Sequence, residues 1–452
     1  MPSTGTFTTA PWAATVRRPT TQAAARAVRA VTDPTMNGDH HMTTMTITGP
    51  EATTTPQHAE AQSPAAAALA AITATREALN QRFINRDKDI HAVLIALIAQ
   101  ANITLVGEPG TAKSALVRAL GQSLSGATWF EHQVAADTPR QAVIGGYDMA
   151  AMDRGEFRLD PTGMLPEAHL ALLDEGYRAN SVLLDALLGL ANPTERVLHN
   201  GRQVTRVPLW CLVITCNQLP DPGDEHLEAF RDRMILTRHV EPATSDRDRL
   251  AILTGQLAGH TAAPLPDLKA THITYLQDQV PQVVASQEFT QAMLEMWRAL
   301  EGEGIGLSAR KAGQIMRLAQ AAAVLEGRVS LGRGDVLVAR DTLWATLDDQ
   351  PVIDQLLEPF QDRTALLITG YQARLRDLTE AADGVIRDLP KDPGINQRGF
   401  DVAGELRVLL ENLAMEPQHP ALTEIATRAT TLQRGLVSTL MGTAGAHDDP
   451  LF

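Results

Sequence analysis

The chain has 452 residues, a formal net charge of -14, 44% apolar residues and 20% charged residues. At roughly 100–200 residues per domain that length holds two to four globular domains, and the acidic balance disfavours a groove for a phosphate backbone. No apolar run approaches the roughly 18–20 residues of a membrane span; the two cysteines, Cys211 and Cys216, are too few for a disulfide-stapled fold and sit roughly 16 Å apart on extended chain, which fits a reducing cytoplasm.

Residues 1–62 contain no Leu and one each of Phe, Trp and Ile, with Thr, Ala and Pro dominant. Such a segment buries too little apolar surface to offset its ordering entropy, so a disordered tail is predicted. Order is predicted from Ser63 and Pro64, which open an Ala-rich helix running to Phe83. A second helix follows from Asp87, where Ile90, Val93, Leu94, Leu97 and Ile98 recur on one face.

The period then changes. Ile103 to Val106 reads as a buried strand ending at Gly107, and a helix pattern starts at Lys113. Leu170 to Leu173 and Leu209 to Thr215 are further buried-strand runs separated by helical segments. This βαβ alternation predicts an α/β fold with a parallel sheet covered on both faces. Asn200-Gly201 is a hairpin signal, and the glycine-rich segment Gly145–Gly163 can form a second hairpin. The pattern is mostly helical from Pro242 to Asp349 and again from Val352 to Leu440, with a Pro/Gly loop from Leu389 to Gly399.

Chemistry concentrates after the first strand. Gly107-Glu108-Pro109-Gly110-Thr111-Ala112-Lys113-Ser114, continuing into Ala115, lies between a strand and a helix. Glycines permit close backbone approach to phosphates, and the first N–H groups of the helix point at an anion. Lys113 is placed for the β- and γ-phosphates and the Ser114 hydroxyl for Mg²⁺. The general P-loop has Gly where this chain has Ala112. Asp174 and Glu175 end the strand at Leu170–Leu173, in the pattern that supplies a Mg²⁺ ligand (Asp174) and a general base for water (Glu175). Asn217 follows a third strand, where a neutral amide can orient water without adding charge, although Asn before Pro220 also suits a plain turn.

The P-loop with Pro109 and Ala112, Leu173-Asp174-Glu175, Asn180 and Asn217-Gln218-Leu219-Pro220 together resemble the MoxR-type AAA+ ATPases, and within them the RavA branch, where Ala at position 112 is expected. The resemblance runs over about residues 75–350. It implies an AAA+ P-loop NTPase core with a parallel sheet at 63–241, an all-helical lid at 242–350 and a helical C-terminal extension at 351–452. In its terms Gly145–Gly163 is an insertion in the second helix, and the Asn200 hairpin is the family's second hairpin. The run Leu227–Met234 is similar to the segment ending in an arginine finger, which points to Arg233, with Arg231 the alternative. Leu307-Ser308-Ala309-Arg310 resembles the sensor-2 motif, with Ser308 as helix N-cap and Arg310 in the first turn. Glu195-Arg196 occupies the place of an acidic–basic loop pair, preceded here by Pro193-Thr194. RavA proteins carry a partly stranded C-terminal domain, so the likeness ends near residue 355.

The resemblance further implies ATP and Mg²⁺ as cofactors, a homo-oligomeric ring, most simply a hexamer, and chaperone-like remodelling with a von Willebrand factor A-domain partner. Two rivals are a magnesium-chelatase-like metal insertion motor and a nucleic-acid motor. The second would need basic hairpins, and the Asn200 hairpin offers only Arg196, Arg202 and Arg206. A third rival is a non-hydrolysing, nucleotide-gated scaffold.

Overall fold

The computed structural model describes residues 63–200, 203–220, 223, 225–257, 264–389, 396–416 and 419–444. The tail predicted over 1–62 lies outside these residues, as do Gly201 and Arg202 of the hairpin turn and residues 390–395 of the Pro/Gly loop.

Helix α1 (Pro64–Arg82) opens where predicted. The Ser63 hydroxyl accepts from the Ala66 N–H at 3.2 Å, and Pro64 fills the first helical position. Helix α2 (Asp87–Ala99) ends at Gln100, whose φ of 55° turns the chain out of the helix. Strands β1 (Ile103–Val106), β2 (Trp129–Gln133), β3 (Leu170–Asp174), β4 (Cys211–Cys216) and β5 (Leu236–His239) form one parallel sheet in the order β5-β1-β4-β3-β2. Helix α3 (Lys113–Ser123) leads from β1 towards β2, α4 (Ser181–Leu190) from β3 towards β4, and α5 (Glu225–Arg231) from β4 towards β5.

The central strands are apolar on both faces because both are covered. Leu170, Leu172, Cys211 and Val213 join one core with α2 and α3. Their alternate neighbours Ala171, Leu173, Leu212 and Ile214 join another with Leu183 and Leu187 of α4 and with Phe230. Strands β2 and β5 escaped the sequence reading. They are the two sheet edges, and Trp-Phe-Glu-His-Gln and Leu-Thr-Arg-His carry polar residues that no apolar run can flag. Segment 145–163 folds as two short antiparallel strands, Gly146–Tyr147 and Leu159–Asp160, around one helical turn, Met149–Met152. Val197–Asn200 pairs antiparallel with Gln203–Arg206, as the hairpin signal predicted.

Helices α6 (Asp246–Leu257), α7 (Ala270–Gln279), α8 (Gln287–Gly302), α9 (Ala309–Leu325) and α10 (Gln350–Leu357) follow. Ile273, Leu276, Phe289, Ile315 and Ile353 bury into the same core as α1, α2 and the near sheet face. Three long helices complete the described chain: α11 (Arg363–Asp388), α12 (Asn396–Met415) and α13 (Pro420–Ala444). Their Leu378, Ala382, Leu406, Ile425 and Leu436 form a separate core. Leu406, fully buried there, gives a direct test. Leu406→Ala should destabilise the bundle by about 2–5 kcal/mol. Amide hydrogen exchange should then quicken across α11–α13 while protection in β1, β3 and β4 stays unchanged.

Candidate active site

The site is built at the C-terminal ends of three neighbouring strands, β1, β4 and β3. Gly107 continues the ladder past β1, its N–H donating to the Cys216 carbonyl at 3.2 Å. A Cβ there would lie 2.4 Å from the Val240 carbonyl oxygen, so only glycine fits. Gly110 takes a φ of +83°. Ala112, at φ 66° and ψ 19°, takes the left-handed turn in which a general P-loop has glycine, at a cost of about 1–2 kcal/mol. The Thr111 hydroxyl donates to the Glu108 carbonyl at 2.8 Å and closes the loop.

Lys113 is the first residue of α3 and is buried. Its Nζ donates to the carbonyls of Gly107 at 2.6 Å and Glu108 at 2.9 Å, and to Asn217 Oδ1 at 3.4 Å. Burial pulls its pKa below the usual lysine range, and nearby Glu175 and Asp174 oppose the shift. Ser114 Oγ donates to Asp174 Oδ1 at 2.8 Å, and the Thr215 hydroxyl donates to the same oxygen. Glu175, one residue beyond β3, stands in the left-handed region at φ 57°, a strain of order 1–3 kcal/mol of the kind found at functional sites. Asn217 Nδ2 donates to its Oε1 at 2.8 Å. The Asn217 amide therefore bridges Lys113 and Glu175.

The structure thus gathers Lys113, Ser114, Asp174, Glu175 and Asn217 into one cluster. Thr215 was missed, though a lone hydroxyl in the apolar run of β4 was its signal. Ser114 and Asp174 offer hard oxygen donors, one hydroxyl and one carboxylate, a set that suits Mg²⁺ completed by phosphates and water. Among the described residues no group of three His, Cys, Asp or Glu side chains could hold a metal by itself.

A cavity of about 630 Å³ opens beside the loop, lined by Phe83, Arg86, Thr111, Ala115 and Ile252. Arg86 is buried and fastens the loop, its Nε donating to the Thr111 carbonyl at 3.0 Å. It also lies 3.8 Å from Asp89, which Arg238 of β5 meets at 2.8 Å; Arg238 in turn reaches Asp341 at 3.4 Å. Burial raises the carboxyl pKa of both Asp89 and Asp341, against the pull of Arg238. None of these loop anchors carries a motif in the sequence.

Arg233 and Arg310 bond elsewhere. Arg233 Nε donates to the Leu188 carbonyl at 3.0 Å and its guanidinium also reaches the Ala229 carbonyl. Arg310 pairs with exposed Asp232 at 3.2 Å, behind a Ser308 N-cap that accepts from the Lys311 N–H. Arg231, the alternative finger, donates to the Ala345 carbonyl at 2.7 Å. Arg196 departs from its expected place. It is buried rather than paired in a loop, while Glu195 meets exposed Arg206 at 4.0 Å.

Residues 70–278 match the family model described as the MoxR domain in the MoxR-vWA-beta-propeller ternary systems, and residues 288–357 match an AAA lid domain. The chain belongs to the MoxR-type AAA+ ATPases. Protein MoxR of Paracoccus denitrificans is 25% identical over 285 residues, 57% of this chain and 83% of that protein. An uncharacterised protein of Methanocaldococcus jannaschii is 27% identical over 359 residues, 76% of this chain and 92% of its own length. A solved Cytophaga hutchinsonii structure described as a candidate ATPase superposes with a TM-score of 0.53 at 19% identity, covering 66% of this chain and 95% of that one, a likeness of fold. In this MoxR-type AAA+ core, Gly107→Ala should force the loop off Val240. The expected result is at least a tenfold loss of affinity for a fluorescent ATP analogue, read by titration, with a lowered melting temperature.

Proposed function

We propose that the protein binds and hydrolyses ATP with Mg²⁺ in a ring and uses the energy to remodel a protein complex. The carrying observation is the convergence of Lys113, Ser114, Asp174, Glu175 and Asn217 at adjacent strand ends. Backbone N–H groups of Glu108 and of Gly110 to Ala115 cradle the phosphates, and Lys113 turns from the loop carbonyls to the β- and γ-oxygens. Ser114 and Asp174 would hold the metal, which when bound would neutralise charge on the phosphates. Glu175 takes the proton of the attacking water, and Asn217 holds that carboxylate in place and keeps it apart from Lys113. The cavity lined by Phe83, Arg86 and Ile252 receives the base.

The Arg233 guanidinium is bonded to the Leu188 and Ala229 carbonyls rather than to this cluster, which is in keeping with action across a subunit boundary in a ring, most simply a hexamer. Ala112 in its left-handed turn is in keeping with a RavA-like branch. The partner reading rests on the matching family model, whose description places MoxR domains with vWA and β-propeller proteins; a vWA-domain protein is therefore the proposed partner. Buried Arg196 leaves the hairpin fewer cations than its sequence suggested, which weighs against a nucleic-acid motor. The buried free thiols Cys211 and Cys216, both pushed up to about 12 by burial, are in keeping with a reducing compartment.

Glu175→Gln should keep ATP-analogue affinity within a few-fold and lower phosphate release by about 10²–10⁴; turnover near the parent level would remove Glu175 from the chemistry. Arg233→Ala should also bind but lose about 10³–10⁵ in rate. Mixing it with Lys113→Ala subunits should restore part of the activity, because each supplies what the other lacks. Arg231→Ala should show the milder defect in the same assay.

A further inference from the structure

Arg196 is an unusual buried cation. Only 9% of it is exposed, yet all four of its acceptors are neutral oxygens. One terminal nitrogen donates to Asn102 Oδ1 at 2.8 Å and to the Leu190 carbonyl at 3.3 Å. The other donates to the carbonyls of Gln100 at 2.8 Å and Trp210 at 3.0 Å. Burying a guanidinium without a carboxylate is expensive, and an apolar side chain of similar size would be cheaper. Burial does pull its pKa down, to about 10, which leaves it charged at neutral pH. The cost calls for a positional reason.

Asn102, fully buried one residue before β1, supplies it. Its amide has two donors and two lone pairs, and all four are used. Oδ1 accepts from Arg196 and from the Leu212 N–H at 3.2 Å. Nδ2 donates to the Ala191 carbonyl at 2.6 Å and to the carbonyl of Arg233 at 2.9 Å. Arg233 Nε itself leans on the Leu188 carbonyl. Three carbonyls at the end of α4, those of Leu188, Leu190 and Ala191, are therefore gripped by Arg233, Arg196 and Asn102. A helix C-terminus carries partial negative charge, so both guanidinium groups are well placed there. The backbone of Arg233 is tied to the base of the hairpin through two side chains that touch no part of the nucleotide cluster.

We propose that Asn102 and Arg196 are positioning residues that seat Arg233 for its work on a neighbouring subunit's nucleotide. The proposal rests on the reading of Arg233 as a trans-acting finger. Asn102 holds the backbone from which the guanidinium projects, and Arg196 fixes which way the Asn102 amide faces. With the amide reversed, an oxygen would confront the Arg233 carbonyl and the chain there would be pushed away.

The test uses the full-length chain and Asn102→Asp. That change keeps the acceptor for Arg196 and Leu212 but replaces the Nδ2 donor by oxygen. Asn102→Asp subunits should bind the fluorescent ATP analogue within about twofold of the parent and release phosphate at least tenfold more slowly. Mixed with Lys113→Ala subunits, which present a well-seated Arg233, they should recover activity; mixed with Arg233→Ala subunits they should not. Arg196→Lys, which keeps the charge but loses the planar fork, should show the same pattern in milder form. If Arg233→Ala is rescued by Lys113→Ala but Asn102→Asp is not, the positioning role is overturned while the finger stands. If Arg233→Ala alone stays active, or is never rescued, the finger reading fails and the positioning role with it. Parent-level turnover in Asn102→Asp would also overturn the proposal. So would loss of ATP-analogue binding in both variants, because the two residues would then be holding the whole core.

Discussion

A parallel sheet buried on both faces can carry polar chemistry only at its strand ends. Every residue from Leu170 to Leu173 and from Cys211 to Ile214 is sealed in one apolar core or the other. Asp174, Glu175 and Asn217 stand where those strands emerge, next to the loop that follows β1. The order β5-β1-β4-β3-β2 makes β1, β4 and β3 neighbours, so the three tips meet without any long-range adjustment. Ser114 at the start of α3 and Thr215 on the neighbouring strand β4 then share one oxygen of Asp174.

Local strain and buried charge gather around the same edge. Ala112 and Glu175 both hold left-handed backbone that glycine would adopt more readily. Arg86 on the Thr111 carbonyl and the Thr111 hydroxyl on the Glu108 carbonyl fasten the loop beside Ala112, and the Asn217 amide holds the Glu175 carboxylate. The chain of Arg86, Asp89, Arg238 and Asp341 runs from the loop carbonyl of Thr111 through α2 and β5 to the segment after α9.

The three C-terminal helices stand apart energetically, with a core of their own. Arg247 of α6 meets Asp377 at 2.9 Å and Glu380 at 2.7 Å on α11. These pairs are half exposed, so each is worth only about 0–1 kcal/mol. The opposite side of α6 contributes Ile252 to the cavity beside the phosphate loop. One helix thus borders both that cavity and the bundle.

The sequence by itself determined the parts governed by local rules. The change from helical period to apolar run located β1, β3 and β4, Ser63 and Ser308 marked helix starts, and strand-loop-helix spacing around Lys113 marked the phosphate loop. Tertiary structure decided what depends on distant neighbours. Strands β2 and β5 are legible only once the sheet gives them edges, since their half-polar sequences carry no buried pattern. Thr215 joins the site only because β4 lies beside β3, and Arg86 only because α2 packs behind the loop. Arg196 looked like a surface cation of a hairpin, and packing made it a buried donor to four oxygens from separate parts of the chain. Periodicity records whether a residue meets apolar surface, whereas the partners of a polar side chain are set by which elements the fold brings together.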